Sequence, residues 1–388
     1  MLHEITRFSF PTTIVFGAGA ICSLPDCLQE TGIKKPLLVT DGGLLKTDAF
    51  TKVEAVLRQA NQSFSLFSGV HPNPIEENVE KAGKQFREDG CDGVIGLGGG
   101  SAIDVAKAIP VRVAYEGPLV RFEAQAGGYK LITGPLAPML AIPTTAGTGS
   151  EVGRASVITI PELGRKIIIF SPHLMPKRAI EDPELTVGLP PHLTASTGMD
   201  AFTHCLESLT APVFHPICDA VALGGLDLVI NYLERAVRNG QDIEARGYML
   251  IAASMGAISF QKDLGAAHSL AHPLSTDFGM QHGLANAVCL PAVMRFNREA
   301  AAKDYAKVAA LFGINTHGMA EIEASDRAVE AVVNLNQRIG IPSRLRDCNI
   351  PEASLEALAG KAFEDSCHKT NPRSCTREDL LRLYQESW

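Results

Sequence analysis

The sequence predicts an α/β domain with a largely parallel sheet over residues 1–184, followed by an all-α domain over residues 185–388. Three observations predict it. Up to about residue 184, short β-branched runs alternate with stretches of helical periodicity, which is the pattern of βαβ units. Beyond "EDPELTVGLPPH" the chain turns to long Ala/Leu/Met/Glu-rich stretches with few strand signals. And 388 residues exceed what one hydrophobic core usually serves, so two domains are expected.

The strands are read in order from "TTIVFG", "PLLVTD", "SFSLFSG", "DGVIGLGGG", "PMLAIPTT", "RASVITI" and "RKIIIF". Most are short apolar runs closed by Gly, Pro or Asp, and helical stretches alternate with them. In the second half "AEIEASDRAVEAVVNLNQRIG" is typical, a helical period stopped by Gly340 and Pro342. The boundary falls near Pro183 to Pro191, with no internal repeat and no low-complexity linker.

At 46% hydrophobic and 20% charged the composition is that of an ordinary globular chain. A net charge of -8 with no dense Lys/Arg run argues against a nucleic-acid binder or a charge-driven membrane surface. "MLHEITRFSFPTTIVFG" lacks the apolar core of a signal peptide. Nowhere do about 18 apolar residues run together, so no membrane span is expected. The nine cysteines, scattered from Cys22 to Cys375 without a CxxC pair, fit buried thiols in a reducing cytoplasm.

Three Gly-rich segments compete for a phosphate. "FGAGAI" holds Gly17 and Gly19 but lacks the third glycine of a dinucleotide fingerprint and reads as a tight turn. In "VIGLGGGSAIDVAKAI" an apolar strand runs through Gly98, Gly99, Gly100 and Ser101 directly into a helix. Backbone N–H groups and a helix N-terminus can there close on an anion. "IPTTAGTGSEVG" repeats the logic with Thr144, Thr145, Gly147 and Gly149. Two such loops after apolar strands point to one dinucleotide along the carboxyl edge of a sheet. Asp41, ending "PLLVT", is either a turn aspartate before Gly42 or an acceptor for a ribose 2′-OH; the latter favours NAD over NADP.

In "GMDAFTHCLES", Asp200 and His204 share one face of an otherwise apolar helix. In "HSLAHPLSTDFGMQHGLANAVCLP", His268 and His272 share another, Pro273 and Gly279 interrupt that helix, and His282 opens the next. A carboxylate with neutral imidazoles makes a site for a divalent transition metal. Spacing leaves open which two of the three histidines join Asp200 and His204. His3, His71, His173, His192, His215, His317 and His368 lack such company and read as solvent-facing or structural.

"GGGSAIDVAKAI", "PTTAGTGSEV", "GMDAFTHCLES" and "HSLAHPLSTDFGMQHGLANAVCLP", in this order, resemble the iron-containing (group III) alcohol dehydrogenase family, which includes lactaldehyde reductases and 1,3-propanediol dehydrogenases. The likeness runs from "FGAGA" to the C-terminal "NPRSCTREDLLRLYQESW". It implies a dehydroquinate synthase-like fold and reversible hydride transfer between a small primary alcohol or aldehyde and NAD. It implies one divalent metal, Fe²⁺ ahead of Zn²⁺, and a homodimer or larger homo-oligomer. It implies Asp200, His204, His268 and His282 as metal ligands, with His272 beside the nicotinamide as a proton relay or a wall of the pocket. It implies cofactor contacts from Asn73, Gly98 to Ser101, Asp104, Thr144, Thr145, Gly147, Thr148, Lys166, Leu185 and Leu189, with Asp41 selecting NAD.

Many relatives read "N-x-x-L-G-x-x-H" before the first clustered histidine, where this chain reads "FQKDLGAAH". Lys262 is then half of a solvated pair with Asp263. Alternatively it points into the substrate channel and selects a hydroxy acid or semialdehyde acid. Glycerol dehydrogenases and dehydroquinate synthases look similar in architecture and form the rival enzyme reading; a non-catalytic metal and nucleotide sensor is the rival of another class.

Overall fold

In the computed structural model, which describes residues Thr12–Trp388, the chain forms two compact units that meet in sequence between Leu189 and Pro190. His3 and the other residues of 1–11 in the N-terminal reading lie outside the described residues.

The first unit contains β1 (Thr13–Phe16), α1 (Leu24–Thr31), β2 (Pro36–Asp41), α2 (Asp48–Gln59), β3 (Ser65–Val70), α3 (Glu76–Glu88), β4 (Gly93–Gly98), α4 (Gly100–Ala114), β5 (Met139–Pro143), β6 (Ala155–Ile160), β7 (Arg165–Phe170) and β8 (Arg178–Glu181). Six strands make one parallel sheet in the order β1-β8-β5-β4-β2-β3. The alternation of strand residues explains its two cores. Leu37, Val39 and Val94 face one core with residues of α3 and α4, and Leu38, Ile95 and Leu97 face the other with residues of α1 and α2.

All seven strands read from the sequence form, with two differences. β6 and β7 leave the sheet and pair antiparallel with each other as a hairpin. β8, "RAIE", carries no strand pattern in the sequence; it lies between β1 and β5, with its last residue, the acidic Glu181, fully buried.

The second unit is helical: α5 (Pro191–Thr210), α6 (Pro216–Arg238), α7 (Ile243–Ser259), α8 (Ala266–Phe278), α9 (His282–Asn297), α10 (Ala302–Leu311), α11 (Glu321–Arg338), α12 (Leu355–Glu364) and α13 (Arg377–Ser387). α5 is buried along most of its length, with α6, α7 and α9 packed around it. α6 is apolar and long enough to cross a membrane by length and composition alone, but it carries Asp219, Asp227, Glu234, Arg235 and Arg238 and packs against α5 and α7.

The expected break at Pro273 does not occur. α8 runs through it to Gly279, whose left-handed φ of 64° ends the helix. A proline removes one ladder bond; here α9 and α12 pack on the helix, and partners of His268 and Ser269 hold the turn before it.

Candidate metal centre and dinucleotide crevice

In the parallel sheet the strand order reverses between β2 and β4, and ligands of such sheets bind outside the carboxyl ends at that switch point. Asp41 ends β2 and Gly98 ends β4, so both lie there. Asp41 Oδ1 accepts the N–H groups of Gly43 and Leu44, at 2.8 and 3.0 Å. Gly98 has φ 145°, and a Cβ on it would stand 2.9 Å from Ala102 Cβ, so no larger residue fits without a shift.

The two glycine loops abut. Thr144 N–H donates to Gly98 O, and a Cβ on Gly100 would meet Thr148 Cγ2 at 2.6 Å. Ser101 Oγ donates to Pro72 O at 2.6 Å, which draws in the loop that carries Asn73. Thr159 N–H donates to Pro74 O and pairs with Lys166 across the hairpin, so Lys166 stands beside that loop. The two glycine loops, the start of α4 and the loop that carries Asn73 thus lie side by side at the carboxyl edge of the sheet.

Three predicted cofactor residues also do structural work. Asp104 Oδ1 accepts from Ser150 Oγ at 2.6 Å and Oδ2 from Val157 N–H at 3.0 Å, tying α4 to the hairpin. Leu185 is 2% exposed within the core around α1 and α2. Leu189 N–H donates to Thr186 O. Gly17 and Gly19 form the expected tight turn: Asp182 takes the N–H groups of Gly19 and Ile21, leaving those two groups turned to a carboxylate.

In the helical unit α5 brings Asp200 and His204 to one face, and α8 brings His268 to them. One ligand atom from each of the three lies within 4.8 Å of the others, all three residues being buried. His268 stacks on His204 with ring centroids 4.7 Å apart. His282, the first residue of α9, places Nε2 3.5 Å from Asp200 Oδ1 and is 24% exposed. The N-terminus of α9 comes this close because residue 283 is glycine; a Cβ there would stand 2.1 Å from Ser196 O. His272 stacks on His282 with ring centroids 5.2 Å apart and is exposed to nearly the same extent, 23%.

These residues fit a cation. The Asn286 amide nitrogen stands 2.9 Å from Asp200 Oδ1, 3.2 Å from His268 Nε2 and 3.4 Å from His282 Nε2. Two N–H bonds cannot serve three acceptors, and the Asn286 oxygen is buried with no partner. Burial lowers the His268 pKa to about 4, so its imidazole is neutral and keeps a lone pair at neutral pH.

Two carboxylates escaped the sequence reading. Glu207, one turn beyond His204, accepts from Gly265 N–H, Ala267 N–H and His268 Nδ1 at 2.9, 2.7 and 2.6 Å. Burial pushes its carboxyl up to about 7 against the pull of those donors. Asp365 lies 2.8 Å from His272 Nδ1. Burial opposes its charge, but the His272 ring and the hydrogen bonds from Cys367 N–H and Ser269 hold it well below the usual carboxylate range. The only sequence signal for Glu207 is its place on the face of Asp200 and His204, at i+7 and i+3.

Lys262 is neither solvated nor turned to a channel. It is 3% exposed, and its ammonium donates to Asp219 Oδ1 at 2.5 Å and Leu209 O at 3.2 Å. Asp263 is therefore not its partner. Two of the isolated histidines are structural: His215 accepts from Cys218 N–H at the start of α6, and His368 is buried beside Phe363.

Residues 11–183 match the family model described as "Iron-containing alcohol dehydrogenase", and residues 194–388 match "Fe-containing alcohol dehydrogenase family, C-terminal". The chain is 41% identical to a 4-hydroxybutyrate dehydrogenase of Cupriavidus necator, over 97% of this chain and 98% of that one. It is 36% identical to a 1,3-propanediol dehydrogenase of Klebsiella pneumoniae over the whole of both. A solved 1,3-propanediol oxidoreductase superposes with a TM-score of 0.95 at 36% identity, covering 99% of this chain and 100% of that one.

Proposed function

The chain belongs to the iron-containing alcohol dehydrogenase family, an oxidoreductase of alcohols and aldehydes, and from that premise we propose its ligands, cofactor and substrate. Asp200, His204, His268 and His282 hold one divalent cation, Fe²⁺ ahead of Zn²⁺. The crevice formed by Asp41, Asn73, the Gly98–Ser101 turn, Thr144 to Thr148 and Lys166 holds NAD(H). The substrate is a small primary alcohol or its aldehyde. The convergence of ligand atoms from Asp200, His204 and His268 within 4.8 Å carries this reading.

When bound, the cation supplies Lewis-acid charge to an alcohol or carbonyl oxygen, and the nicotinamide supplies the hydride carrier. The side chains do the rest. Glu207 accepts the Nδ1 proton of His268 and so turns the Nε2 lone pair towards Asp200. With one carboxylate and three neutral imidazoles the ligand set keeps a net charge of about +1 around a divalent ion. Burial of Asp200, His204 and His268 excludes water from that side. Asp365 accepts from His272 Nδ1 and so leaves Nε2 to take or return the hydroxyl proton.

The relative at 41% identity is named for a hydroxy acid, so 4-hydroxybutyrate belongs in the substrate panel. Because Lys262 is engaged with Asp219, selection of a carboxylate by that residue is not part of this reading. The free state of all nine cysteines supports the cytoplasm as its compartment. The reading also carries a homo-oligomer, whose size sedimentation measures.

The test is metal content measured beside turnover. Asp200→Ala loses both together, and a metal-free variant with full activity overturns the mechanism. His272→Ala keeps its metal while turnover falls by about 10²-fold or more; loss of metal there would place His272 among the ligands instead. Alcohols and aldehydes, assayed with NADH and NADPH after loading with Fe²⁺ or Zn²⁺, identify the substrate and the metal.

A further inference from the structure

A second group of metal-ligating side chains lies in the helical unit, and the proposed mechanism leaves it partly unused. His272 on α8, Asp365 just past the end of α12, and Cys367 each offer a ligand atom, and these three atoms lie within 4.8 Å of one another. The group is preformed. Asp365 Oδ1 accepts from the Ser269 hydroxyl and from Cys367 N–H, both at 2.8 Å. Its Oδ2 faces His272 Nδ1, also at 2.8 Å. The His272 and Asp365 side chains are 23% and 21% exposed, so an ion has a way in from their side.

We propose that His272, Asp365 and Cys367 form a second cation site, selective for a borderline-soft divalent ion such as Zn²⁺, whose occupation disables His272. The donor set is one nitrogen, one oxygen and one sulfur, with a fourth position open to water, and that combination suits zinc. At zinc–ligand bonds of about 2.0–2.3 Å, tetrahedral ligand atoms stand roughly 3.5 Å apart. From within 4.8 Å of one another, the ligand atoms need to close by on the order of 1 Å to reach that value. The Asp200 group is chemically different, since it holds no sulfur.

Charge favours the ion as well. Burial of the Cys367 thiol, and then the neighbouring charges of Asp365, Glu207 and Asp263, hold its proton in place in the free protein. The same carboxylates attract a cation, and a coordinating thiol is deprotonated outright. On binding, the S–H bond breaks, its proton leaves to solvent, and the thiolate pair forms the bond to the ion. The His272 proton moves from Nδ1 to Nε2, so that Nδ1 can donate its lone pair. Nε2 is then no longer free to accept a hydroxyl proton. That last consequence rests on the function proposed above; the site itself does not.

Cobalt separates the two sites. Co²⁺ is added to the full chain already carrying one equivalent, and absorption is followed in the near ultraviolet, where thiolate-to-cobalt charge transfer appears. A band that grows with the second equivalent and vanishes in Cys367→Ser supports the site. In parallel, Zn²⁺ in excess of the first equivalent inhibits turnover, and its midpoint rises about tenfold or more in Cys367→Ser. Asp365→Asn weakens the band as an independent variant, should the cysteine substitution disturb folding. The site is overturned by the absence of any band in the parent protein, or by a band that Cys367→Ser leaves unchanged. A band without inhibition overturns the link to His272 and returns the fault to that residue's assigned role.

Discussion

The carboxylate of Glu207 lies 2.6 Å from Nδ1 of His268, and both residues are almost fully buried. Since Glu207 stands on the same helix as Asp200 and His204, α5 supplies two proposed ligands and the group that orients a third. Partners of this kind fix the ring tautomer, and removing them typically costs about 10–100-fold in metal affinity. Glu207→Gln keeps the volume and loses the charge. We expect metal affinity, measured by competition with a chelator, to fall within that range while the helical circular dichroism signal is kept. Unchanged affinity would assign Glu207 to packing alone.

Asp41 presents one oxygen to the Gly43 and Leu44 N–H groups, which fixes its carboxylate at the end of β2. A fixed carboxylate at this edge accepts from a ribose 2′-OH and repels a 2′-phosphate. Asp41→Ala removes the repulsion. The ratio of kcat/KM for NADPH to that for NADH is expected to rise about tenfold or more, through a lower KM for NADPH. A ratio that stays constant would make Asp41 an ordinary turn residue.

What could be read from the sequence follows from how local each signal is. β2, β4 and β5 are built on short apolar runs, and the histidines on α8 and α9 lie close together in sequence, so these strands and the histidine cluster were legible. β8 was not, because in "RAIE" two of four residues are charged and the partner strands lie far away in sequence. Glu207, Asp365 and Asn286 look like ordinary polar residues until the fold brings in partners 61, 93 and 86 positions distant. Lys262 was misread for the same reason, as Asp219 precedes it by 43 positions. Pro273 misled differently: a local rule about helix breaking lost to packing by neighbouring helices.

Lys107 on α4 is 1% exposed, its ammonium donating to Ser150 Oγ at 2.8 Å and Ala155 O at 2.9 Å. Burial lowers its pKa to about 8, against the pull of Asp104 and Glu151. The folded state therefore gives up this proton before the unfolded chain does. Below pH 8 both states are protonated and the cost of the buried charge is fully present; from there up to the ordinary lysine range the unfolded state binds more protons, and stability rises with pH. Denaturant unfolding of the parent and of Lys107→Met, at pH 7.5 and pH 9.5, isolates this contribution. The parent is expected to gain about 2 kcal/mol relative to the variant over that interval. No change in the difference would mean that Lys107 is already neutral, or exposed, in the folded protein.

Asp263 adopts φ 68° and ψ -174°, a conformation natural to glycine, in the turn between α7 and α8. A side chain held there costs on the order of 1–3 kcal/mol. Asp263 reaches the surface, but partial desolvation of its carboxyl also raises the pKa, which adds a modest penalty for the charged form. Asp263→Gly relieves both, at the expense of a more flexible unfolded chain, which offsets about 0.5–1 kcal/mol. The net expectation is a gain of about 1 kcal/mol, read as a higher denaturant midpoint with an unchanged slope. The sign with pH is also fixed. Because the folded pKa is raised, the folded state holds the proton longer, and stability is lost as pH rises through the carboxylate range. The advantage of the glycine variant is accordingly larger at pH 7 than at about pH 4. A variant less stable than the parent at pH 7 would show that Asp263 makes a compensating interaction strong enough to hold the strained turn in place.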